Sequence, residues 1–444
     1  MKNDTIIKNC QIVNEGCVLD SDVLIRDGRI EKIAPNIDET GKIIDATGLH
    51  LFPGVIDDQV HFREPGLTER GNIKSESLAA IAGGTTTFMD MPNVIPPTLT
   101  NELWRQKIEI ASKNASANYS FYMGSSNENI DEIRAINPTE VCGVKVFMGS
   151  STGNLLVDNE ESLNLIFKDS PVPIATHCED TPMIKKLEET YKAKYGEDIP
   201  VEYHADIRSR EACLKSSKKA VDLANKHNQD LHILHISTAD ELALFSNLPI
   251  EEKLITAEVC IPHLYFNSDD YQTKGTLIKC NPSIKSPSDQ RALRDALKTG
   301  LIDFVATDHA PHLLAGKSNP YMDCPSGMPS IEQTLLVVLE MVKNGELSLE
   351  DVPRVTSHNI ATRFKIKDRG FIREGYWADI VLVNLNEEHV VDDAVTNYAC
   401  GWSPFNGDRF SSRIIDTIVS GEHAFSKGKF LKTKEGLQIE FTRG

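Results

Sequence analysis

The pattern of apolar and polar positions separates the chain into a β-rich start, a long alternating middle and a β-rich end. Residues 5–13 are rich in β-branched side chains, and residues 23–30 place an Asp-Gly turn between apolar pairs, which is typical of a hairpin. Residues 378–383 and 414–419 form similar apolar runs near the other end. Because neither end is long enough to make a good core alone, we expect both ends to pair into one small β-sandwich.

The middle of the chain alternates short apolar runs with helical patterns, such as the one at residues 288–299. Eight β-type runs occur there, at residues 55–56, 86–89, 119–122, 144–147, 172–175, 231–234, 255–259 and 304–306. Eight alternating β and α units are typical of a (β/α)8 TIM-type barrel, so the predicted fold class is α/β. The predicted domains are a barrel over residues 53–365 and a β-sandwich built from residues 1–52 and 366–444.

The net charge of −18 excludes some classes of partner. The 444 residues include 47 basic and 65 acidic ones, and the resulting field repels phosphate backbones. The hydrophobic fraction of 40% is ordinary for a globular protein, and no apolar run approaches the roughly 18 residues that a membrane helix needs. We therefore expect a small-molecule substrate, with neither nucleic acid nor a membrane as partner.

Nine cysteines bear on the location of the protein and on the kind of metal site it could hold. Their number is odd and no CxxC pair occurs, which favours free thiols in the reducing cytoplasm over a disulfide framework. The start of the chain also lacks the apolar segment of a signal peptide. A cysteine-rich zinc site is disfavoured, so any metal should bind histidine, aspartate or other oxygen ligands.

Metal-type side chains stand at or near the ends of several predicted strands. They are Gln59 and His61 after the first strand, Lys145 in the fourth, His177 at the end of the fifth, His235 at the end of the sixth and Asp308 after the eighth. One histidine after a strand is usually structural, but several such residues at matching strand ends are hard to reach by accident. Because the carboxyl ends of barrel strands meet at the active-site mouth, we expect these side chains to form one site.

Lys145 is unusual because it lies within an apolar strand, in the stretch GVKVFMG. Burial disfavours the charged ammonium and lowers its pKa, and the neutral amine can then react with CO2 to give a carbamate. A carbamate supplies two oxygens, enough to bridge two zinc ions. The alternative is a lysine whose charged end reaches solvent from an edge strand.

Several sequence motifs follow one another in a fixed order along the chain. Residues 54–66 read GVIDDQVHFREPG and residues 306–312 read ATDHAPH; between them lie Met91-Pro92-Asn93, His235-Ile236-Ser237-Thr238 and Asn281-Pro282. Residues 375–382, GYWADIVL, precede the final β-rich stretch. In this order, the motifs resemble those of dihydroorotases in the cyclic amidohydrolase superfamily. The resemblance covers nearly the whole chain.

The resemblance implies a zinc-dependent barrel that reversibly closes N-carbamoyl-L-aspartate to dihydroorotate, a step of pyrimidine biosynthesis. It implies metal ligation by His61, Lys145, His177, His235 and Asp308, and Asp308 can also carry the proton. It implies substrate contacts from Arg63, Asn93, Asn281 and His312, with backbone contacts to the substrate ring at Ser326 and Gly327. We further expect a homo-oligomer, either a dimer or a tetramer.

Gln59 departs from the family pattern. The family opens with His-x-His, and Gln59 stands at the first of these two histidines. Glutamine is a neutral and weak oxygen ligand for zinc, so we expect one tightly held zinc and a second that exchanges readily. A two-zinc enzyme, a one-zinc enzyme and a non-catalytic homologue all remain open.

The substrate also has alternatives, because hydantoinases, dihydropyrimidinases and allantoinases share the barrel and the lysine. Arg63 in the sequence REPG favours dihydroorotase, since a guanidinium fork can clamp a substrate carboxylate that neutral rings do not carry. Arg63 could instead form a surface salt bridge with Glu64 or Glu69.

Overall fold

Strands and helices alternate through the middle of the computed structural model, which describes residues 4–149, 155–431 and 434–443. The strands are β1 (Thr5–Asn14), β2 (Cys17–Arg26), β3 (Arg29–Ala34), β4 (Lys42–Asp45), β5 (His50–Pro53), β6 (Val55–Val60), β7 (Thr85–Asp90), β8 (Asn118–Phe121), β9 (Met123–Gly124), β10 (Val144–Phe147), β11 (Ile174–His177), β12 (Leu231–Ile233), β13 (Ile255–Cys260), β14 (Phe304–Ala306), β15 (Ile380–Asn384), β16 (His389–Val390), β17 (Arg409–Phe410), β18 (Arg413–Val419), β19 (Glu422–Ser426) and β20 (Lys429–Phe430). The α-helices are α1 (Ile73–Ala82), α2 (Asn101–Asn114), α3 (Ile130–Arg134), α4 (Glu160–Asp169), α5 (Thr181–Tyr195), α6 (His204–Ile207), α7 (Arg210–His227), α8 (Ile261–Tyr265), α9 (Tyr271–Lys274), α10 (Pro287–Thr299), α11 (Leu314–Lys317), α12 (Thr334–Lys343) and α13 (Asn359–Phe364).

Parallel strands β6 to β14 form the barrel. β6, β7 and β8 pair in chain order, and so do β9 to β14. β8 and β9 lie on either side of Tyr122 and together fill the third position. A parallel bridge between Val60 and His309 joins β6 to the chain that follows β14 and closes the circle. The predicted (β/α)8 barrel is confirmed.

The barrel strands are buried on both faces, although several of them carry polar residues. Every residue of β6, β7, β8, β10 and β11 is buried, because helices cover the outside and side chains fill the inside. The helices between them carry their own start and stop signals. In α10, Ser286 makes a capping box with Asp289, Pro287 follows it, and Gly300 ends the helix in the left-handed conformation, with φ of 77°.

Both chain ends contribute to one nine-stranded sheet. Its order is β20-β19-β18-β15-β5-β1-β2-β3, with β4 paired to β1. Antiparallel pairing of Leu51 in β5 with Leu382 in β15 joins the two ends. The predicted hairpin turn lies between β2 and β3, where Asp27 and Gly28 have φ of 50° and 80°, as a tight turn with two left-handed residues requires. The expected small β-sandwich from both chain ends is confirmed.

The last described residues leave this sheet and pack on the barrel. The Ile439 N–H donates to the Tyr119 carbonyl oxygen at 3.0 Å, and the Gly436 N–H donates to the Ala115 carbonyl oxygen at 2.8 Å. The C-terminal part of the chain therefore contributes strands to the nine-stranded sheet and then a final segment that packs on the barrel. The boundaries at residues 52/53 and 365/366 stay a prediction.

Two further features concern the cysteines and the helices. All nine cysteines are free thiols, and each lies within the described part of the chain. Among the described residues, no helix is both long enough and apolar enough to cross a membrane.

Candidate active site

The six residues predicted to hold metal come together where the barrel strands end. Gln59 and His61 lie at and just after the end of β6, Lys145 lies in β10, and His177 is the last residue of β11. His235 and Asp308 lie two residues beyond β12 and β14, with φ of 41° and 48°. Left-handed backbone is uncommon for such residues and tends to occur at functional sites.

Gln59, His61 and Asp308 form one half of the site. The Gln59 Nε2 donates to Asp308 Oδ1 at 3.2 Å, and His61 Nε2 lies 3.0 Å from the same oxygen. Burial alone would raise the pKa of Asp308, but a hydrogen bond with His61 and the charges of His61 and Lys145 hold it below its ordinary value. Asp308 is therefore ionised at neutral pH and can accept a proton.

His177 and His235 form the other half. Nδ1 of His177 lies 3.0 Å from Nε2 of His235, and Nε2 of His177 lies 2.9 Å from Oε2 of Glu179. Glu179 is fully buried and also accepts a hydrogen bond from Arg208 at 2.6 Å. Burial alone would raise the pKa of Glu179, but the charge of Arg208 and the contact with His177 lower it to about 2. The Glu179 carboxylate therefore orients the His177 ring and leaves Nδ1 facing His235.

Lys145 lies between the two halves. Its side chain is buried, and among the described residues no acceptor lies within hydrogen-bonding distance of Nζ. Burial lowers the pKa of Lys145 to about 8, although the charges of Asp308 and Glu258 oppose that shift. Conversely, its charge lowers the pKa of both Asp308 and His235. A lysine reaching solvent from an edge strand does not match this burial.

These side chains fit a divalent metal. With Nε2 of His177 donating to Glu179, the lone pair of Nδ1 faces His235, whose own Nδ1 is buried without a partner among the described residues. His61 Nδ1 lies 2.7 Å from Asn93 Oδ1, which leaves Nε2 facing the Asp308 carboxylate. Imidazole nitrogens and carboxylate oxygens that converge on one place are a zinc-type donor set.

Arg63 lies beside this site rather than on the surface. It is 6% exposed, its Nε donates to the Pro311 carbonyl oxygen at 3.1 Å, and its Nη2 lies 3.2 Å from Nε2 of His312. The salt bridges considered with Glu64 and Glu69 do not occur, because Glu64 accepts from the Ile73 N–H and Glu69 pairs with Arg70. Burial lowers the pKa of Arg63. Among the described residues, its Nη1 has no acceptor, so part of the fork is available to a ligand.

The remaining predicted substrate residues lie in two places. Asn93 contacts His61, as described above. Asn281, Ser326 and Gly327 lie together: with its amide in the orientation that satisfies both ends, Asn281 contacts Ser326 Oγ at 3.2 Å, and His312 Nε2 lies 3.1 Å from the Ser326 carbonyl oxygen. The N–H and the carbonyl oxygen of Gly327 already pair with Lys279 and Lys317.

Gly327 has a φ of 129°, and a Cβ there would lie 2.7 Å from the Ala310 carbonyl oxygen. The position therefore requires glycine, and Gly327 contributes by keeping the loop close to the barrel.

Sequence reasoning missed several residues that shape the site. Glu179 and Arg208 hold His177, and the Cys260 thiol at the end of β13 lies 3.7 Å from Gln59 Oε1. The sequence signal for Glu179 was an acidic residue two positions after a strand-end histidine. No comparable signal marks Arg208, whose partner lies 29 residues away in the chain.

Comparison with known proteins gives a consistent family. The profile described as "Amidohydrolase family" matches residues 50–424. The chain is 30% identical to a dihydroorotase from Methanosarcina mazei over 99% of this chain and 97% of that protein. It is also 30% identical to an allantoinase from Desulfitobacterium hafniense, with 98% of each chain covered. The structure matches an L-hydantoinase (dihydropyrimidinase) from Arthrobacter aurescens with a TM-score of 0.93, at 26% identity, over 99% of this chain and 100% of that one.

Proposed function

Because the chain belongs to the amidohydrolase family, with cyclic amidohydrolases among its relatives, we propose that it is a zinc-dependent dihydroorotase. The proposed reaction closes N-carbamoyl-L-aspartate to dihydroorotate, with release of water, and runs in both directions. Its place would be pyrimidine biosynthesis in the cytoplasm, which the nine free thiols support.

The buried guanidinium of Arg63 is the observation that supports a substrate with a carboxylate. A buried charge without an ionic partner is costly, and among the described residues no carboxylate lies within ion-pair distance of Arg63. Both carbamoyl-aspartate and dihydroorotate carry a carboxylate beside the reacting ring position. Arg63 would pair with that carboxylate, and His312, whose Nε2 lies 3.2 Å from Arg63, would help to fix its position.

Zinc held by His61, His177, His235, Asp308 and a carbamate on Lys145 would polarise the scissile carbonyl and favour the ionised form of water. In ring opening, the Asp308 carboxylate accepts a proton from the attacking water and passes it to the ring nitrogen as the C–N bond breaks. In ring closure, the same carboxylate accepts the proton from the ureido nitrogen and delivers it to the departing oxygen. Gln59 and His61 hold Asp308 in place for both directions.

A second candidate is a hydrolase of neutral rings, such as an allantoinase or a hydantoinase. The similarity to an allantoinase, as high as that to a dihydroorotase, favours this alternative. Such an enzyme would leave the Arg63 guanidinium without an anionic ligand. Arg63 therefore supports the dihydroorotase proposal over this one.

A non-catalytic homologue is the third candidate, and Gln59 is its support. The other five metal-type residues are present and face one another as an active centre needs. Loss of one imidazole weakens one metal position without removing the proton carrier or the substrate clamp. The arrangement therefore supports an enzyme.

The deciding experiment is a turnover comparison on protein whose zinc content has been measured by elemental analysis. Carbamoyl-aspartate and dihydroorotate are compared with allantoin, hydantoin and dihydrouracil at equal concentrations. We expect turnover of the first pair only. Preferential turnover of a neutral ring would replace the proposal by the second candidate, and no turnover by zinc-loaded protein would favour the third.

A further inference from the structure

Three polar side chains lie together inside the barrel, next to the candidate active site but not among its predicted ligands. They are Asp58 in β6, His232 in β12 and Glu258 in β13, and their side chains have no exposed surface. His232 Nε2 lies 3.1 Å from Glu258 Oε2 and 3.4 Å from Asp58 Oδ2. One ligand-type atom of each residue lies within 4.8 Å of the others. Asp58 precedes Gln59 in β6, and His232 precedes His235 in the chain, so the group lies deeper in the barrel.

The hydrogen bonds around His232 are compatible with the tautomer that a metal site needs. Thr256 Oγ1 lies 2.9 Å from His232 Nδ1 and donates to the Leu231 carbonyl oxygen at 3.4 Å. In the tautomer in which the Nδ1–H donates to Thr256, Nε2 of a neutral ring is a lone pair. Burial lowers the pKa of His232 to about 4, so the ring is neutral at pH 7. In that tautomer, a lone pair and two carboxylates face one another.

One polar group in this cluster and one beside it lack partners. Neither carboxylate oxygen of Asp58 accepts a hydrogen bond from the described residues, and the buried hydroxyl of Tyr122 has no hydrogen-bond partner among them. Burial raises the pKa of Tyr122 well above its ordinary value, and the nearby charge of Asp58 raises it further. The Tyr122 hydroxyl therefore belongs to the same neighbourhood, although it lies outside the acidic cluster itself.

Two states of the cluster could satisfy these acceptors. In the first, protons sit on the carboxyls, and burial does raise the pKa of Glu258 to about 8 and that of Asp58 well above its ordinary value. In the second, one divalent cation replaces those protons. The geometry favours the second state, because one ion can contact all three residues, whose facing atoms lie within 4.8 Å of one another.

We propose that Asp58, His232 and Glu258 form a separate divalent-cation site inside the barrel. Two carboxylates and one imidazole nitrogen suit zinc or a similar first-row ion. Thr256 is a positioning residue, because its hydroxyl would hold the His232 ring in that tautomer and orientation, as outer partners of metal-binding histidines commonly do.

The proposed ion would also steady the active site. Glu258 Oε1 accepts from the backbone N–H of His235 at 3.1 Å, and Asp58 directly precedes Gln59. A cation that holds Asp58 and Glu258 together therefore joins β6, which carries Gln59, to β13, whose Glu258 holds the backbone of His235. We expect it to raise thermal stability as well as to fill the cluster.

The test is a crystal of the full chain grown with zinc chloride, with diffraction data collected above and below the zinc absorption edge. We expect an anomalous peak about 2.0 to 2.2 Å from oxygens of Asp58 and Glu258 and from Nε2 of His232, besides any peak in the active site. Zinc in the active site with none at this cluster would overturn the inference and leave the proposed function standing. Zinc at the cluster in a protein without turnover would support the inference and count against the proposed function.

Three variants provide a readout that does not need crystals. Asp58→Asn should bind one zinc fewer per chain than the wild type, whereas His177→Ala, which damages only the active site, should keep the inner zinc. Thr256→Val should weaken the inner zinc roughly 10- to 100-fold in a competition titration with a chelator. Equal zinc content and affinity in wild type, Asp58→Asn and Thr256→Val would show that the cluster holds protons instead.

Discussion

Replacing Arg63 by methionine removes the guanidinium and keeps an unbranched side chain in the buried space. The native side chain is held by the Pro311 carbonyl oxygen at 3.1 Å and lies 3.2 Å from His312, which leaves Nη1 for a substrate carboxylate. A charge-assisted contact of this kind is worth about 2 to 3 kcal/mol, so kcat/KM for carbamoyl-aspartate should fall roughly 30- to 150-fold. Arg63→Lys keeps the charge but loses the fork, and we expect a smaller fall.

The assay is ring closure followed by absorbance of dihydroorotate, with zinc content and melting temperature measured for each variant. Arg70→Met is the matched control, because Arg70 lies nearby but is about one-third exposed and pairs with Glu69. An exposed pair contributes little, so this variant should stay within about threefold of the wild type. The loss in Arg63→Met should appear mainly in KM, since the carboxylate is contacted before and during the reaction alike.

The neutral ring dihydrouracil gives a second control. Any residual turnover of it should be insensitive to Arg63→Met, because it has no carboxylate to lose. Normal turnover of carbamoyl-aspartate by a folded, zinc-loaded Arg63→Met protein would refute the clamp and the substrate assignment together. A hydrolase of neutral rings would then be the better proposal.

Four further outcomes are expected. Lys145→Ala should lose bound zinc and turnover, with partial rescue of activity by a short carboxylic acid, as elemental analysis and rate measurements can show. Because the pKa of Lys145 is about 8, roughly one amine in ten is neutral at pH 7, and chelated enzyme should recover faster with bicarbonate and zinc as pH rises toward 9. Gln59→His should tighten the weaker zinc and raise activity at low zinc. Gly327→Ala should raise KM and lower the melting temperature, since its Cβ would meet the Ala310 carbonyl oxygen at 2.7 Å.

The strands could be predicted because barrel strands are short and buried on both faces, which favours short apolar runs. The fifth was predicted at residues 172–175 but occupies Ile174–His177. Pro173 has no N–H for the ladder, so the strand begins after it, and it ends at His177, as predicted. The first strand extends from the predicted Val55-Ile56 through Asp57, Asp58 and Gln59 to Val60. Charged residues inside a strand make the predicted strand too short, because the sequence does not show the distant segments on which the burial of those residues depends.

Those distant partners also limited what could be said of the site. Metal-type residues at strand ends were recognisable, since a barrel brings all such ends together. The sequence alone does not distinguish His232 from a solvated histidine, whereas the structure buries it against Asp58 and Glu258, which lie far from it in the chain. Likewise, the buried Glu179 carboxylate is paired with Arg208, and the sequence does not show this contact. The sequence shows which residues are polar. Which polar residues face one another depends on how the strands pair, and that is seen only in the structure.

Gln59 weakens one half of the metal centre in two ways. It offers no imidazole, and its Nε2 donates to the same Asp308 oxygen that faces His61. The lost ligand and the competing hydrogen bond make different predictions for Gln59→Met, which removes the donor and adds no ligand. If competition for Asp308 dominates, Gln59→Met should tighten the second zinc almost as well as Gln59→His. If ligand loss dominates, only histidine should do so, because a thioether is a poor zinc ligand beside imidazole and carboxylate. Unchanged zinc affinity in both variants would mean that position 59 does not act on the metal, and that the asymmetry of the centre has its origin elsewhere.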